Sequence, residues 1–162
     1  MQPSDDIRNA KAFRAVDGQL LTSGQPSEAQ LVSAAAEGVQ VVINLALHGN
    51  PAYSLPDEVG LVRSLAMEYI HIPVAFEAPS EADLLAFFAA MDALGGRKAL
   101  VHCAANKRVT AFLGLYRVAR LGWDAEAAFA MMRALWLPDA VWSAFIEAML
   151  ARHGAGTSPR KS

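Results

Sequence analysis

The sequence predicts an α/β domain with a central, mostly parallel sheet of four to five strands that is flanked by helices. Strand and helix patterns alternate over residues 39–121, as expected where parallel strands are joined by right-handed helical crossovers. Two extra C-terminal helices, at 124–135 and 138–152, are expected to pack over one face of the sheet. The length of 162 residues fits a single domain with its own buried core.

The strand predictions rest on apolar and β-branched runs that are bounded by turn residues. The first two runs flank Asp17-Gly18, a dipeptide that favours a tight hairpin. The third run, residues 39–45, is continuously apolar, as in a strand that is buried on both faces. Pro73 stops the fourth run because proline lacks a backbone donor. The predicted strands are residues 13–16, 19–23, 39–45, 68–71 and 98–102.

The helix predictions rest on N-cap residues that precede a helical pattern. Ser27 and Gln30 have the spacing of a capping box, and Gly38 is placed to end the first helix. Pro138 is expected in the first turn of the last helix. The other predicted N-caps are Asp57, Ser80 and Asp124. The predicted helices are residues 28–37, 58–67, 80–94, 109–121, 124–135 and 138–152.

The chain ends are expected to lie outside the folded domain, which is predicted to span residues 12–152. Residues 1–11 are polar and are predicted to be a flexible lead, whereas residues 153–162 have the composition of a disordered tail. The N-terminus lacks the apolar core of a signal peptide. No apolar run reaches the roughly 18 residues of a membrane span, so a soluble, cytoplasmic protein without a membrane partner is expected.

Composition and charge argue against several classes of function. The formal net charge is −2 and no basic stripe is visible, so nucleic acid is not an expected partner. The single cysteine excludes an intramolecular disulfide. Neither a metal nor a cofactor is expected, because no Gly-rich nucleotide loop is present and the histidines lack metal-ligand spacing. These histidines are His48, His71, His102 and His153.

Residues 102–110, His-Cys-Ala-Ala-Asn-Lys-Arg-Val-Thr, join the last predicted strand to the helix that follows. Ligands of open α/β sheets bind at the carboxyl ends of strands, and the free amides of a helix N-terminus favour a bound anion. Arg108 can add two parallel hydrogen bonds to such an anion. The predicted binding residues are Ala104, Ala105, Asn106, Lys107 and Arg108, with His102 as a buried support of the loop.

Cys103 is the candidate nucleophile of this loop. Helix N-termini and nearby cations favour the reactive thiolate form of a cysteine. The predicted reaction is attack of the Cys103 Sγ on a phosphomonoester, followed by hydrolysis of the cysteinyl phosphate. The Thr110 hydroxyl is a candidate to hydrogen-bond the sulfur in the second step. An isolated cysteine at a strand end is more often a small buried hydrophobe, but the company of His102, Arg108 and Thr110 favours a catalytic role.

The loop resembles that of the cysteine-dependent protein tyrosine phosphatase superfamily, which reads His-Cys-x5-Arg-Ser/Thr. The resemblance covers about residues 12–150 and implies a phosphatase-like fold and a phosphorylated substrate, such as a phosphotyrosine or another phosphoprotein. Four segments occur in the order seen in small bacterial dual-specificity-like phosphatases, namely residues 21–26, 41–45, 70–73 and 99–103.

The loop departs from the family pattern in two ways. Four residues, rather than five, separate Cys103 from Arg108, and Val109 occupies the position of the family arginine. Asn106 stands where a glycine is expected, and asparagine tolerates the left-handed backbone region better than most residues. The missing residue must narrow the cradle or remove one of its amides.

The resemblance also implies a general acid, which the family usually supplies as an aspartate from a loop upstream of the cysteine. The matching segment, residues 73–79, has no aspartate, so its only carboxylate, Glu77, is the candidate. Residues 136–139, Trp-Leu-Pro-Asp, mimic the acid loop of the family but follow the cysteine in the chain. They are therefore interpreted as a helix start with core anchors.

Two alternative functions remain open. Rhodanese-like sulfurtransferases have a Cys-x4-Arg-type loop in the same strand–loop–helix setting, and they carry sulfur on the cysteine. A catalytically weak pseudophosphatase would hold a phosphorylated partner, or inorganic phosphate or sulfate, in the loop without turning it over. The upstream order of segments and His102 favour the phosphatase interpretation.

Overall fold

The computed structural model describes residues 2–154 and contains a five-stranded sheet with helices on both faces. The strands run in the order β1-β2-β5-β3-β4. Only β1 is antiparallel to its neighbour, since the pairs β2–β5, β5–β3 and β3–β4 are all parallel. The predicted fold class is therefore confirmed. The strands are β1 Arg14–Ala15, β2 Leu20–Ser23, β3 Val41–Asn44, β4 Glu68–His71 and β5 Ala99–His102.

Four strands end in a row of polar side chains at one edge of the sheet. Ser23 pairs with His102, His102 with Asn44, and Asn44 with His71, and each of these residues is the last of its strand. Since β2, β3, β4 and β5 are parallel, this row lies at their carboxyl ends. The register thus brings the residue before Cys103 to the edge where ligands of α/β sheets bind.

The helices begin largely where the sequence predicts. Their bounds are α1 Glu28–Ala36, α2 Glu58–Ser64, α3 Glu81–Asp92, α4 Lys107–Ala119, α5 Ala125–Ala128, α6 Ala130–Leu135 and α7 Ala140–Met149. The N-cap side chains that accept a backbone hydrogen bond include the predicted Ser27, Asp57, Ser80 and Asp124. The predicted helix 124–135 is divided at Phe129, whose ψ of 10° interrupts the α-helix. Asp139 caps α7, so Pro138 precedes that helix instead of lying in its first turn.

The core lies on both faces of the sheet, as expected for strands buried on both sides. On one face, Phe112 and Trp142 belong to the same buried cluster as Ile43. On the other face, Leu31 from α1 belongs to the cluster that contains Val42. Neighbouring residues of β3 therefore face opposite cores, because successive side chains of a strand point to opposite faces.

The N-terminal segment differs from the predicted flexible lead. Residues 3–5 and 7–9 form 3-10 turns, and Ile7 is fully buried in the cluster beside α1. The backbone N–H of Ile7 donates to Ser33 Oγ at 3.0 Å. The Gln30 side-chain amide also donates to Ser4 O at 2.9 Å, and Ala10 is buried in the same cluster as Ile7. Apolar burial and long-range hydrogen bonds therefore hold the segment on α1, although its polar composition predicts no such contact.

The C-terminal segment also begins inside the fold. Leu150–Gly154 continues α7 as a π-helical turn, and Gly154 is buried. The remainder of the predicted tail, residues 155–162, lies outside the described residues. Among residues 2–154, no helix has both the length and the apolar character that a membrane crossing needs.

Candidate active site

The predicted anion-binding loop lies between β5 and α4, and β2 holds its backbone in place. The Cys103 N–H donates to Ser23 O at 3.3 Å, and the Gln25 N–H donates to Ala104 O at 3.0 Å. Gly24 lies between these two contacts, and a Cβ atom there would come within 2.5 Å of Ala104 O. Glycine is therefore required at this position by the close approach of the loop.

Asn106 makes the turn that starts α4. Its φ of 64° and ψ of 9° lie in the left-handed region, which asparagine tolerates better than most residues. The buried side-chain amide donates to Ala12 O at 2.9 Å and to Thr22 Oγ1 at 3.1 Å. The side chain is thus engaged with the N-terminal segment and β2, and it does not line the cavity beside Cys103. Among the described residues, Asn106 Oδ1 has no hydrogen-bond partner.

Cys103 lies at the base of the loop, in the wall of a small cavity. Its exposed fraction is only 1%, and the cavity has a volume of about 190 Å³. Five of the six lining residues come from the predicted loop. The lining residues are Phe76, Cys103, Ala104, Ala105, Lys107 and Arg108.

Several loop amides beside this cavity are available to a ligand. The backbone N–H groups of Ala104, Ala105, Lys107 and Arg108 donate to no acceptor within residues 2–154. Two of these N–H groups belong to the first turn of α4, where the partial positive charge of the helix N-terminus is concentrated. The loop therefore presents donors and positive potential around Cys103.

Arg108 adds a buried cation to the same cavity. Its exposed fraction is 5%, and its Nη1 donates to Val74 O at 2.7 Å. The guanidinium carbon lies 6.0 Å from the ring centre of Tyr53 and 5.7 Å from that of Phe76. A guanidinium has five N–H donors, and within the described chain only the bond to Val74 is made. The remaining donors can serve an anion in the cavity.

His102 supports the loop through a buried contact that the sequence does not reveal. Its Nε2 lies 2.5 Å from Glu58 Oε2, and its Nδ1 lies 3.2 Å from Cys103 O. The exposed fractions of the two side chains are 0% for His102 and 2% for Glu58. Both ring nitrogens therefore face oxygen acceptors, one on the backbone of the loop and one on the side chain of Glu58. The predicted support of the loop by His102 has this contact with Glu58 in addition.

The surroundings of Glu58 favour its ionised form. Burial alone raises the pKa of this carboxyl, but the hydrogen bond and the charge of His102 act in the opposite direction. Gln25 Nε2 also donates to Glu58 Oε1, at 3.0 Å. The result is a pKa below the ordinary value of 4.5. In the sequence, Glu58 is an ordinary acidic residue in the first turn of a helix, where a negative charge is favourable. Its role as the partner of His102 is visible only in the structure, because the two residues are 44 positions apart.

Thr110 does not take the position predicted for it. Its hydroxyl donates to Lys107 O at 3.0 Å and accepts the Trp136 indole N–H at 3.1 Å. The single hydroxyl proton is therefore used by the first turn of α4, and no hydrogen bond to the Cys103 sulfur is formed. The role predicted for Thr110 in the second step therefore has no hydrogen bond to support it in this structure.

Glu77, the candidate general acid, is exposed and does not line the cavity beside Cys103. The backbone on both sides of it is fixed, because Arg108 binds Val74 O and the Trp142 indole N–H donates to Phe76 O at 2.7 Å. Phe76 faces the cavity instead. The segment 73–79 thus supplies an aromatic wall and no carboxylate.

The remaining histidines at this edge of the sheet form a stacked pair. The ring centres of His48 and His71 are 3.8 Å apart, and Tyr69 Oη lies 2.7 Å from His48 Nε2. Burial lowers the pKa of His71, although its bond to Ala46 O opposes the shift. Within residues 2–154 no group of three or more His, Cys, Asp or Glu side chains is arranged to hold a metal.

The chain is similar to solved structures over nearly its whole length. Two crystal structures described as "Putative phosphatase (DUF442)" from Shewanella putrefaciens CN-32 are 34% and 32% identical to the chain, with TM-scores of 0.81 and 0.78. The alignment with the first covers 93% of this chain and 99% of the Shewanella chain. The second covers 95% of this chain and 98% of that one. No family model and no curated protein matches the sequence.

More distant structures share the fold. Tk-PTP in its active form is 23% identical, with a TM-score of 0.70 over 96% of this chain and 99% of its own. The core catalytic domain of the PP-IP phosphatase SIW14 from S. cerevisiae is 15% identical, with a TM-score of 0.69 over 93% of this chain and 96% of that one. These two neighbours therefore show the fold that the chain shares with them. The identity of 34% with the Shewanella protein shows that the chain belongs to the DUF442 family.

Proposed function

We propose that this protein is a phosphatase that hydrolyses a phosphomonoester through a cysteinyl-phosphate intermediate on Cys103. The observation that carries the proposal is the cavity in which Cys103, Arg108 and unpaired loop amides meet at the start of α4. The Cys103 thiolate attacks the phosphorus, and the leaving group departs with the electron pair of the ester bond. Water then attacks the phosphorus, which releases phosphate and restores the thiolate.

The charge that develops on the transferring phosphoryl group is matched by two kinds of donor. These are the unpaired loop amides and the free N–H groups of Arg108, which belongs to the first turn of α4. Donors that are fixed before the reaction stabilise a transition state without reorganisation. The contact between Arg108 and Val74 O fixes the guanidinium in this way.

Positive charge lies beside the nucleophile. Arg108 and the N-terminus of α4 adjoin Cys103, and groups of this kind favour the thiolate form of a cysteine. A free thiol of this kind persists in a reducing compartment, so a cytoplasmic location is part of the proposal. The proposed substrate range is dual-specificity-like. It comprises phosphotyrosine or another phosphoprotein side chain, whose phosphate occupies the cavity lined by Phe76 and Lys107.

The test is a phosphate-release assay with p-nitrophenyl phosphate. Cys103→Ser is expected to abolish turnover, and Arg108→Lys to lower kcat/KM by about 100- to 1,000-fold, as for loss of one oxyanion donor. Arg133→Lys, on the exposed surface of α6, is the matched control and is expected to keep wild-type turnover. A phosphoryl adduct on Cys103 after rapid acid quench, seen by mass spectrometry, identifies the intermediate.

The same preparation separates the two alternative functions. The short Cys-x4-Arg spacing is the feature that favours a sulfurtransferase, so thiosulfate and cyanide are offered in parallel. Thiocyanate formation that depends on Cys103, without phosphate release, overturns the phosphatase proposal. Binding of vanadate or phosphate without turnover in either assay indicates a pseudophosphatase instead.

A further inference from the structure

The cavity beside Cys103 adjoins a second one, since Ala104 lines both. The second cavity has a volume of about 330 Å³ and includes Lys11, Gln25 and Tyr53 in its lining. The two linings together contain three cations, Lys11, Lys107 and Arg108, and neither contains an aspartate or a glutamate. Residues 155–162 include no acidic side chain either. A leaving group in these cavities therefore meets ammonium groups and no carboxylic acid.

The position of Lys107 directs positive charge to the rim of the catalytic cavity. Its Nζ lies 5.8 Å from the ring centre of Trp136, next to the first turn of α4. Lys11 lines the second cavity, which shares Ala104 with the first. Each of the two adjoining cavities therefore has a lysine in its wall for the part of the molecule that leaves, when Arg108 holds the phosphoryl group.

We propose that the site acts preferentially on phosphoanhydrides, in which the leaving group is itself a phosphate, and that Lys107 and Lys11 bind this leaving phosphate. The inference rests on the proposed function, because it uses the same nucleophile and the same cysteinyl-phosphate intermediate. It differs in the substrate class, since a monoester of an aliphatic alcohol becomes a poor substrate.

The chemistry balances without a general acid. The Cys103 thiolate forms a bond to the terminal phosphorus, and the bond from that phosphorus to the bridging oxygen breaks. The electron pair stays on the bridging oxygen, which becomes part of a phosphate group with a second ionisation near pH 6. This leaving phosphate needs no proton at neutral pH, whereas an alkoxide does, because its basicity approaches that of hydroxide from water with a pKa of about 15.7.

The missing acid determines the size of the preference. General acid catalysis typically contributes about 100- to 10,000-fold for poor leaving groups. A site without it loses this factor for alkyl monoesters and not for phosphoanhydrides. Each lysine is expected to raise kcat/KM for substrates with an anionic leaving group by about 5- to 30-fold, the effect of a partly solvated charge contact.

The test compares two pairs of substrates in the full-length protein. Inorganic diphosphate is paired with methyl phosphate, and adenosine 5′-diphosphate with adenosine 5′-monophosphate. The expected kcat/KM is at least about 100-fold higher for the anhydride in each pair. Lys107→Met and Lys11→Met are each expected to lower the ratio of diphosphate to p-nitrophenyl phosphate activity by about 5- to 30-fold. Lys107→Arg restores the ratio, and Lys98→Met, outside both cavities, leaves it unchanged.

The outcomes separate this inference from the proposed function. If p-nitrophenyl phosphate is turned over but neither diphosphate is preferred over its paired monoester, the proposed substrate class is wrong and the proposed function stands. The same conclusion follows if both lysine variants leave the ratio of diphosphate to p-nitrophenyl phosphate activity unchanged. If Glu77→Gln selectively slows methyl phosphate, Glu77 supplies an acid and the inference is wrong. Absence of Cys103-dependent phosphate release from every compound overturns the proposed function itself.

Discussion

Removing the charge of Glu58 is expected to be the most destabilising isosteric change in the site. Glu58→Gln keeps the volume of the side chain, so the core beside α2 has no new cavity. It leaves the His102 imidazole without a carboxylate in a place where both side chains are sealed from solvent. Breaking a buried ion pair by removing one partner costs about 3–5 kcal/mol. In a domain of this size, such a loss lowers Tm by about 6–20 °C.

The assay is urea unfolding at pH 7, followed by tryptophan fluorescence, of the wild type and the two single variants Glu58→Gln and His102→Gln. The double variant completes a cycle, and a coupling of about 1–3 kcal/mol is expected because the two groups act as one unit. Glu77→Gln removes an exposed carboxylate and serves as the control, with an expected change within about 0.5 kcal/mol. Additive single effects, each below about 1 kcal/mol, would refute the role assigned to the pair.

The same variant predicts a change in acid stability. The pKa of Glu58 in the folded protein lies below the ordinary value of 4.5, so the unfolded chain takes up its proton first as the pH falls. The stabilising contribution of Glu58 is therefore complete above about pH 4.5 and is lost as the pH falls through the lower folded value. In this window, the free energy of unfolding of the wild type should fall more steeply with decreasing pH than that of Glu58→Gln. If the two free energies fall in parallel, the lowered pKa of Glu58 is contradicted.

Three further substitutions test the packing around the loop. Gly24→Ala places a Cβ within 2.5 Å of Ala104 O and so displaces the loop. We expect a clear loss of kcat/KM with only a small decrease in the urea midpoint. Asn106→Gly keeps the left-handed turn but loses the side-chain bonds, whereas Asn106→Ala should cost a further 1–3 kcal/mol or so in unfolding free energy. Gly114→Ala brings its Cβ into overlap with the buried Phe129 ring, and an overpacking loss of about 1–3 kcal/mol is expected from the same measurement.

Local sequence signals account for most of the fold. The continuous apolar run at 39–45 predicts a strand with cores on both faces, and β3 has both. The capping residues predict the helix starts because each N-cap bond closes within three residues. The break at Phe129 leaves no such signal, since the apolar pattern continues through it. The docking of Ile7 onto α1 depends on Ser33, which is 26 positions away, and no local pattern encodes such a contact.

In the candidate site, too, the residues of one short segment can be predicted from the sequence, whereas contacts between distant segments cannot. Cys103 and Arg108 can be predicted because one short segment carries both the anion site and the nucleophile. The partner of His102 cannot, since Glu58 reaches it from α2 only when that helix is laid against the strand ends. The buried Glu58 carboxylate faces the His102 ring, so the cations offered to a substrate are Arg108, Lys107 and Lys11, together with the N-terminus of α4. These charges match the proposed phosphoanhydride, which carries negative charge on both sides of the bond that breaks.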